Sequence, residues 1–142
     1  MKKIMWSGVG LAAAFLAGFA ARGVMPGEAV AQAQATRVFE LRTYTAGEGK
    51  LDLLHARFRN HTLRIFQRHG MTNVWYGKPM DAPLSQDTLI YVLAHQSRAA
   101  ATKSWESFRA DPEWQRVAKE SGVGAVKVQS VFLEPTDYSP MK

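Results

Sequence analysis

A chain of 142 residues, 46% hydrophobic and 21% charged, has room for one folded domain and does not have the composition of a disordered chain. Eighteen Lys and Arg against twelve Asp and Glu give a net charge of +6, but no basic run is interleaved with stacking aromatics, so nucleic acid is not an expected partner. The lack of cysteine excludes disulfides, thiol catalysis, thiolate metal sites and a lipid-modified N-terminal Cys.

Residues 1–35 read as a leader and residues 36–142 as the domain. Lys2 and Lys3 form a short positive start, and residues 4–21 then run without a charge. Ala29-Val30-Ala31 follows, and the same small-x-small pattern repeats at Ala31-Gln32-Ala33 and Ala33-Gln34-Ala35. Signal peptidase requires small side chains at those two positions, so the expectation is export, periplasmic or secreted, with cleavage near residues 31–35. The alternative is an uncleaved anchor through residues 4–21, because such a run is at the lower limit of a membrane span. The membrane is otherwise not an expected partner.

Residues 37–45 alternate, with Phe39 and Leu41 on one face and Val38, Glu40, Arg42 and Tyr44 on the other, which predicts a strand. Residues 50–69 follow as a helix. Leu51, Leu54, Phe58, Thr62 and Ile65 fall on one stripe, while Arg57, Arg59, Arg64 and Arg68 lie off it on a solvated face. Gly70 is placed to end this helix. A strand is expected over 71–78, with Trp75 and Tyr76 on opposite faces, then a loop over 79–86 and a strand over 88–95. Ser97 can cap a helix over 98–109, and Asp111 can cap another that starts at Pro112. A last strand over 126–133 and an irregular tail complete the chain.

The order is β-α-β-β-α-β with the second helix broken in two. It predicts an α+β, ferredoxin-like fold: a four-stranded antiparallel sheet with its helices on one face. The third strand is apolar on both faces, with Leu89, Tyr91 and Leu93 against Ile90, Val92 and Ala94. A sheet with one wet face carries a polar row there, so a second subunit is expected to cover this one, as a homodimer with sheets packed face to face.

Several segments resemble the NIPSNAP family. Val38-Phe39-Glu40-Leu41-Arg42-Thr43-Tyr44-Thr45 is similar to its first strand, and Arg68-His69-Gly70-Met71 to its first helix–strand join. Phe108-Arg109-Ala110-Asp111-Pro112-Glu113-Trp114 resembles its second-helix signature, and Pro135-Thr136-Asp137-Tyr138-Ser139-Pro140 its closing tail. The resemblance implies membership of the wider dimeric α+β barrel group. That group includes cofactor-free monooxygenases, isomerases and haem proteins, as well as members without a known reaction. The mitochondrial roles of the animal proteins do not carry over to a single domain behind a secretion-type leader.

Candidate chemistry is sparse. His61, beside the apolar stripe of the first helix, is the candidate catalytic base, pointing between helix and sheet; its competing reading is a hydrogen-bonded core histidine. His55 is expected on the surface and His69 at the helix end, and the His spacing does not suit a metal. Glu40, Arg42 and Tyr44 can line a polar pocket or pair structurally. Tyr91 and His95 share a face of the third strand and, with Trp75 or Tyr76, can wall a ligand cavity. Trp105, Phe108 and Trp114 read as core anchors. No nucleophile elbow, phosphate loop, dinucleotide fingerprint or zinc spacing occurs, and no cofactor is expected. Two functions follow. One is a non-catalytic module binding a small hydrophobic ligand or a protein; the other is a cofactor-free monooxygenase- or isomerase-like enzyme acting on a small hydrophobic substrate.

Overall fold

The computed structural model describes residues 37–142; the leader, with its cleavage and anchor readings, lies outside them. Four strands form one sheet: β1 Val38–Thr45, β2 Thr72–Gly77, β3 Thr88–His95 and β4 Lys127–Leu133. Their order is β2-β3-β1-β4, and each neighbouring pair is antiparallel. This is the ferredoxin-like arrangement. Among the described residues no helix is long and apolar enough to cross a membrane.

The first helical stretch differs from the single α-helix expected. It runs as α1 Leu51–Arg57, a π-helical turn over Phe58–Thr62, and α2 Leu63–Arg68. The Leu63 amide reaches back to the Phe58 carbonyl, and the Thr62 hydroxyl donates to the Arg57 carbonyl at 3.2 Å. The expected stripe is buried throughout, but the extra residue of the π turn rotates the later part, so Phe66 also turns inward. Gly70, at φ 76°, ends the stretch. The Met71 amide donates to the Phe66 carbonyl and the Gly70 amide to the Gln67 carbonyl, the pair of bonds that a left-handed residue makes possible.

Helices α3 Arg98–Ala110 and α4 Pro112–Glu120 complete the layer. Ser97 caps α3 by accepting the Ala100 amide at 3.0 Å. Asp111 caps α4 by accepting the Glu113 amide at 2.8 Å and the Trp114 amide at 3.2 Å. The Asp111 carboxylate also takes Arg68 and His69, each at 2.6 Å, while Arg64 and Arg68 both bond Glu113. The end of α2 is thereby tied to the start of α4.

The core lies between helices and sheet and is built around a cluster of aromatic rings. Phe58 meets Tyr44, Tyr76 and Tyr91 edge-on at centroid distances of 5.8, 5.9 and 5.2 Å, and Tyr76 stacks on Tyr91 at 5.3 Å. Which row of β1 faces the helices is the main surprise: Glu40, Arg42 and Tyr44 point inward, and Phe39 and Leu41 point to the opposite face. Trp75 also stands on that opposite face, 53% exposed, with its ring over Gly77, where a Cβ would come within 2.3 Å of it.

Part of the second face, which a second subunit was expected to cover, is covered by the chain's own tail. The tail folds back along one end of that face. Pro135, Thr136, Ser139 and Met141 enclose a cleft of about 300 Å³ with Phe39, Val92 and Leu133. Phe39 is buried, whereas Val131 and Leu133 remain open.

Candidate functional site

Glu40 is the hub of the inward polar row. It is 1% exposed and accepts four hydrogen bonds. Arg42 Nη1 and Ser130 Oγ donate to Oε1, each at 2.6 Å; Trp105 Nε1 at 2.7 Å and His95 Nε2 at 3.0 Å meet Oε2. Four donors fill the acceptor sites of a carboxylate. Burial by itself pushes the Glu40 carboxyl up, but the bonds from His95, Ser130 and Trp105 and the Arg42 charge outweigh it and hold the group at about 2. The network also requires the proton of His95 to sit on Nε2 when Glu40 is ionised, which leaves the enclosed Nδ1 without a partner among the described residues.

Arg42 lies flat against Trp105, with Cζ 4.0 Å from the ring centroid, and 5.5 Å from that of Tyr44. Its Nε is buried and unpartnered among the described residues. Arg57 is the second guanidinium. It comes from the residue before the π turn, and its Cζ lies 5.1 Å from the Trp114 centroid. Trp114, Phe108 and Trp105 form a continuous aromatic row, with centroid separations of 4.4 and 5.5 Å, in which Trp105 stands perpendicular to Phe108.

Arg57 corrects the reading of a solvated helix face: it is only 6% exposed. No carboxylate among the described residues pairs with it, and its Nε has no hydrogen-bond partner there. Burial accordingly lowers its affinity for a proton. The Tyr91 hydroxyl is likewise enclosed and unpartnered; the Tyr44 phenol stands beside it without hydrogen-bonding geometry. Burial pushes the Tyr91 phenol well up, so it remains a neutral donor.

The structure therefore gathers Glu40, Arg42, Tyr44, Tyr91 and His95 on one face of the sheet and adds Arg57, Trp105, Trp114 and Ser130. Trp75 is not among them, being on the other face. His61 is not among them either. It lines clefts beside α4, one of them shared with Arg57, Asn60 and Ser121 and the other with Glu120 and Ser121, rather than pointing between helix and sheet. His55 is half-buried instead of on the surface, with its Nε2 enclosed. Among the described residues no group of three or more His, Asp or Glu is placed to hold a metal ion.

Arg57 carried one readable signal: it is three positions after Leu54, hence on the flank of the apolar stripe. Trp105 and Trp114 were legible as anchors, not as platforms for arginine. Ser130 gave no signal, since its partner lies 90 positions away.

The sequence profile of the NIPSNAP family matches residues 39–140. A crystal structure of a NIPSNAP family protein of unknown function from Agrobacterium tumefaciens superposes with a TM-score of 0.67 at 17% identity, covering 76% of this chain and 96% of that one. An uncharacterised NIPSNAP-like domain protein from Burkholderia xenovorans gives 0.65 at 17% identity, over 75% and 90%. SnoaB, a cofactor-independent oxygenase from Streptomyces nogalater, gives 0.50 at 11% identity, over 74% and 98%, and shares the fold alone. No curated protein sequence matches the chain. With the family profile spanning the domain from its first strand into its tail, the chain belongs to the NIPSNAP family.

Proposed function

We propose that this NIPSNAP domain is a non-catalytic small-ligand-binding module that works as a homodimer outside the cytoplasm. The observation that carries the binding reading is Arg57, a buried cation with no counter-ion among the described residues, set in an aromatic wall. A protein does not enclose an unpaired charge without cost, and a bound ligand offsets that cost. Access is available along β4, whose Val128 and Ser130 lie open on the helix side of the sheet.

For the enzyme alternative, Glu40 is saturated, His95 bonds it through Nε2 and keeps an enclosed Nδ1, and His61 lies in the cleft beside α4. A thermal-shift screen of small molecules on the full-length chain, with hits followed by tryptophan fluorescence, separates the readings. Binding predicts hits that quench the fluorescence and lose part of that effect in Trp114→Phe. A screen without hits overturns the module, and a hit consumed during incubation transfers the argument to the enzyme.

Export is supported by the charge, length and small-x-small pattern of residues 1–35. N-terminal sequencing of the protein made in its own cells is the test. A start near residues 31–35 supports cleavage, whereas an intact Lys2 in the membrane fraction supports the anchor.

A further inference from the structure

The binding reading above leaves the ligand class open, and the charge pattern of the site narrows it. The enclosed cluster holds two guanidiniums, Arg42 and Arg57, and one carboxylate, Glu40. Glu40 has no acceptor capacity left after its four hydrogen bonds, so it cannot serve Arg57 as well. Arg42 Nε, Arg57 Nε and the Tyr91 hydroxyl are left as unpartnered donors, and His95 Nδ1 as an unpartnered acceptor. Arg57, the guanidinium without a counter-ion among the described residues, calls for an acceptor group with one negative charge. The surroundings of Arg57 are apolar and aromatic, with Trp114 under the guanidinium and Phe108 against Trp114. A strongly hydrated dianion such as phosphate suits those surroundings poorly, whereas a carboxylate on a hydrophobic body suits both the donors and the rings.

Resting on the binding reading, we propose that the domain takes a small hydrophobic monocarboxylate, with its anionic head on Arg57 and its body against the aromatic side chains around Trp114. The π turn fits this role. Such turns insert one residue and re-aim the side chains next to them, and here the turn begins immediately after Arg57.

The test is calorimetric titration of the full-length chain with benzoate and decanoate against benzamide and decanamide, with inorganic phosphate as a further arm. The acids are expected to bind at least about tenfold tighter than the amides. Arg57→Met is expected to abolish that preference while leaving the melting temperature of the free protein unchanged or raised, since it removes an unpaired buried charge. A merely structural arginine predicts the reverse, a lower melting temperature with ligand preference intact. If Arg57→Met does not fold, Tyr91→Phe supplies the second arm: stability retained and acid binding weakened. Equal binding of acids and amides overturns the anionic head and leaves the module standing. No binding by any probe overturns both, and phosphate outcompeting the acids overturns the hydrophobic carboxylate.

Discussion

Glu40 ties together β1, β3, β4 and α3 through one carboxylate, so its ionisation is coupled to folding. Its folded value of about 2 lies below the ordinary 4.5. A depressed carboxyl contributes its stability in full above pH 4.5 and loses it as pH falls through 2. The difference corresponds to about 3 kcal/mol at neutral pH. Asp111 and Glu113 are also held low, through His69 and Arg68 in the first case and Arg64 and Arg68 in the second, so wild-type acid unfolding mixes several groups. The informative quantity is the difference between wild type and Glu40→Gln in urea midpoints across pH. Glu40→Gln is expected to lose about 3–5 kcal/mol at pH 7, since Arg42 is left as a largely buried unpaired charge. That gap is expected to shrink between pH 4.5 and 2; a constant gap across the window would contradict the hub.

At the scale of elements, Asp111 unites two functions that substitutions can separate. Its carboxylate caps α4 and anchors Arg68 and His69 at the end of α2. Asp111→Ala removes both and is expected to cost about 1–2 kcal/mol through the lost cap alone. Asp111→Asn keeps the cap and loses the charge, so its urea midpoint is expected between those of Ala and wild type; equal midpoints for Asn and Ala would assign the whole effect to the ion pairs. The cap itself was readable, because Asp-Pro-Glu is a local signal in which each residue acts on its own helix start. The strands were readable for the same reason: the apolar run over 88–95 matches β3 to the residue. The hub was not. Glu40 gathers partners 55, 65 and 90 positions distant, and alternation along β1 separates two rows of side chains without telling which row is inside. A charged row reads as the wet one until those distant donors are known. The π turn was equally hidden, because one inserted residue shifts a stripe by less than the width of an apolar face. Arg57 and the true direction of His61 were hidden as well.

The whole molecule places its two unfinished surfaces on opposite sides of one sheet. The polar cluster faces the helices, while Leu41, Ile90, Val92 and Val131 face away from them. Among the described residues the tail covers the Phe39 end of that second face, and Val131 is 54% exposed. An apolar face of this kind is closed most simply by its own copy about a two-fold axis, and a stable closure needs burial on the order of 1,600 Å² in all. Light scattering at micromolar concentration is therefore expected to return a dimer for the wild type. Val131→Lys adds a charge at an exposed position, so the fold is expected to survive it, but the paired sheets cannot accommodate two buried ammonium groups. The expected outcome is a monomer with an unchanged far-ultraviolet spectrum; a wild-type monomer, or a Val131→Lys dimer of undiminished strength, would exclude this face as the interface. Because the guanidinium cluster lies across the sheet, the same variant is expected to keep the acid-over-amide preference that Arg57→Met loses. Assembly and ligand binding would then be separable by one substitution on each side of the sheet, and loss of both in Val131→Lys would instead mean that the partner subunit helps to hold the site closed.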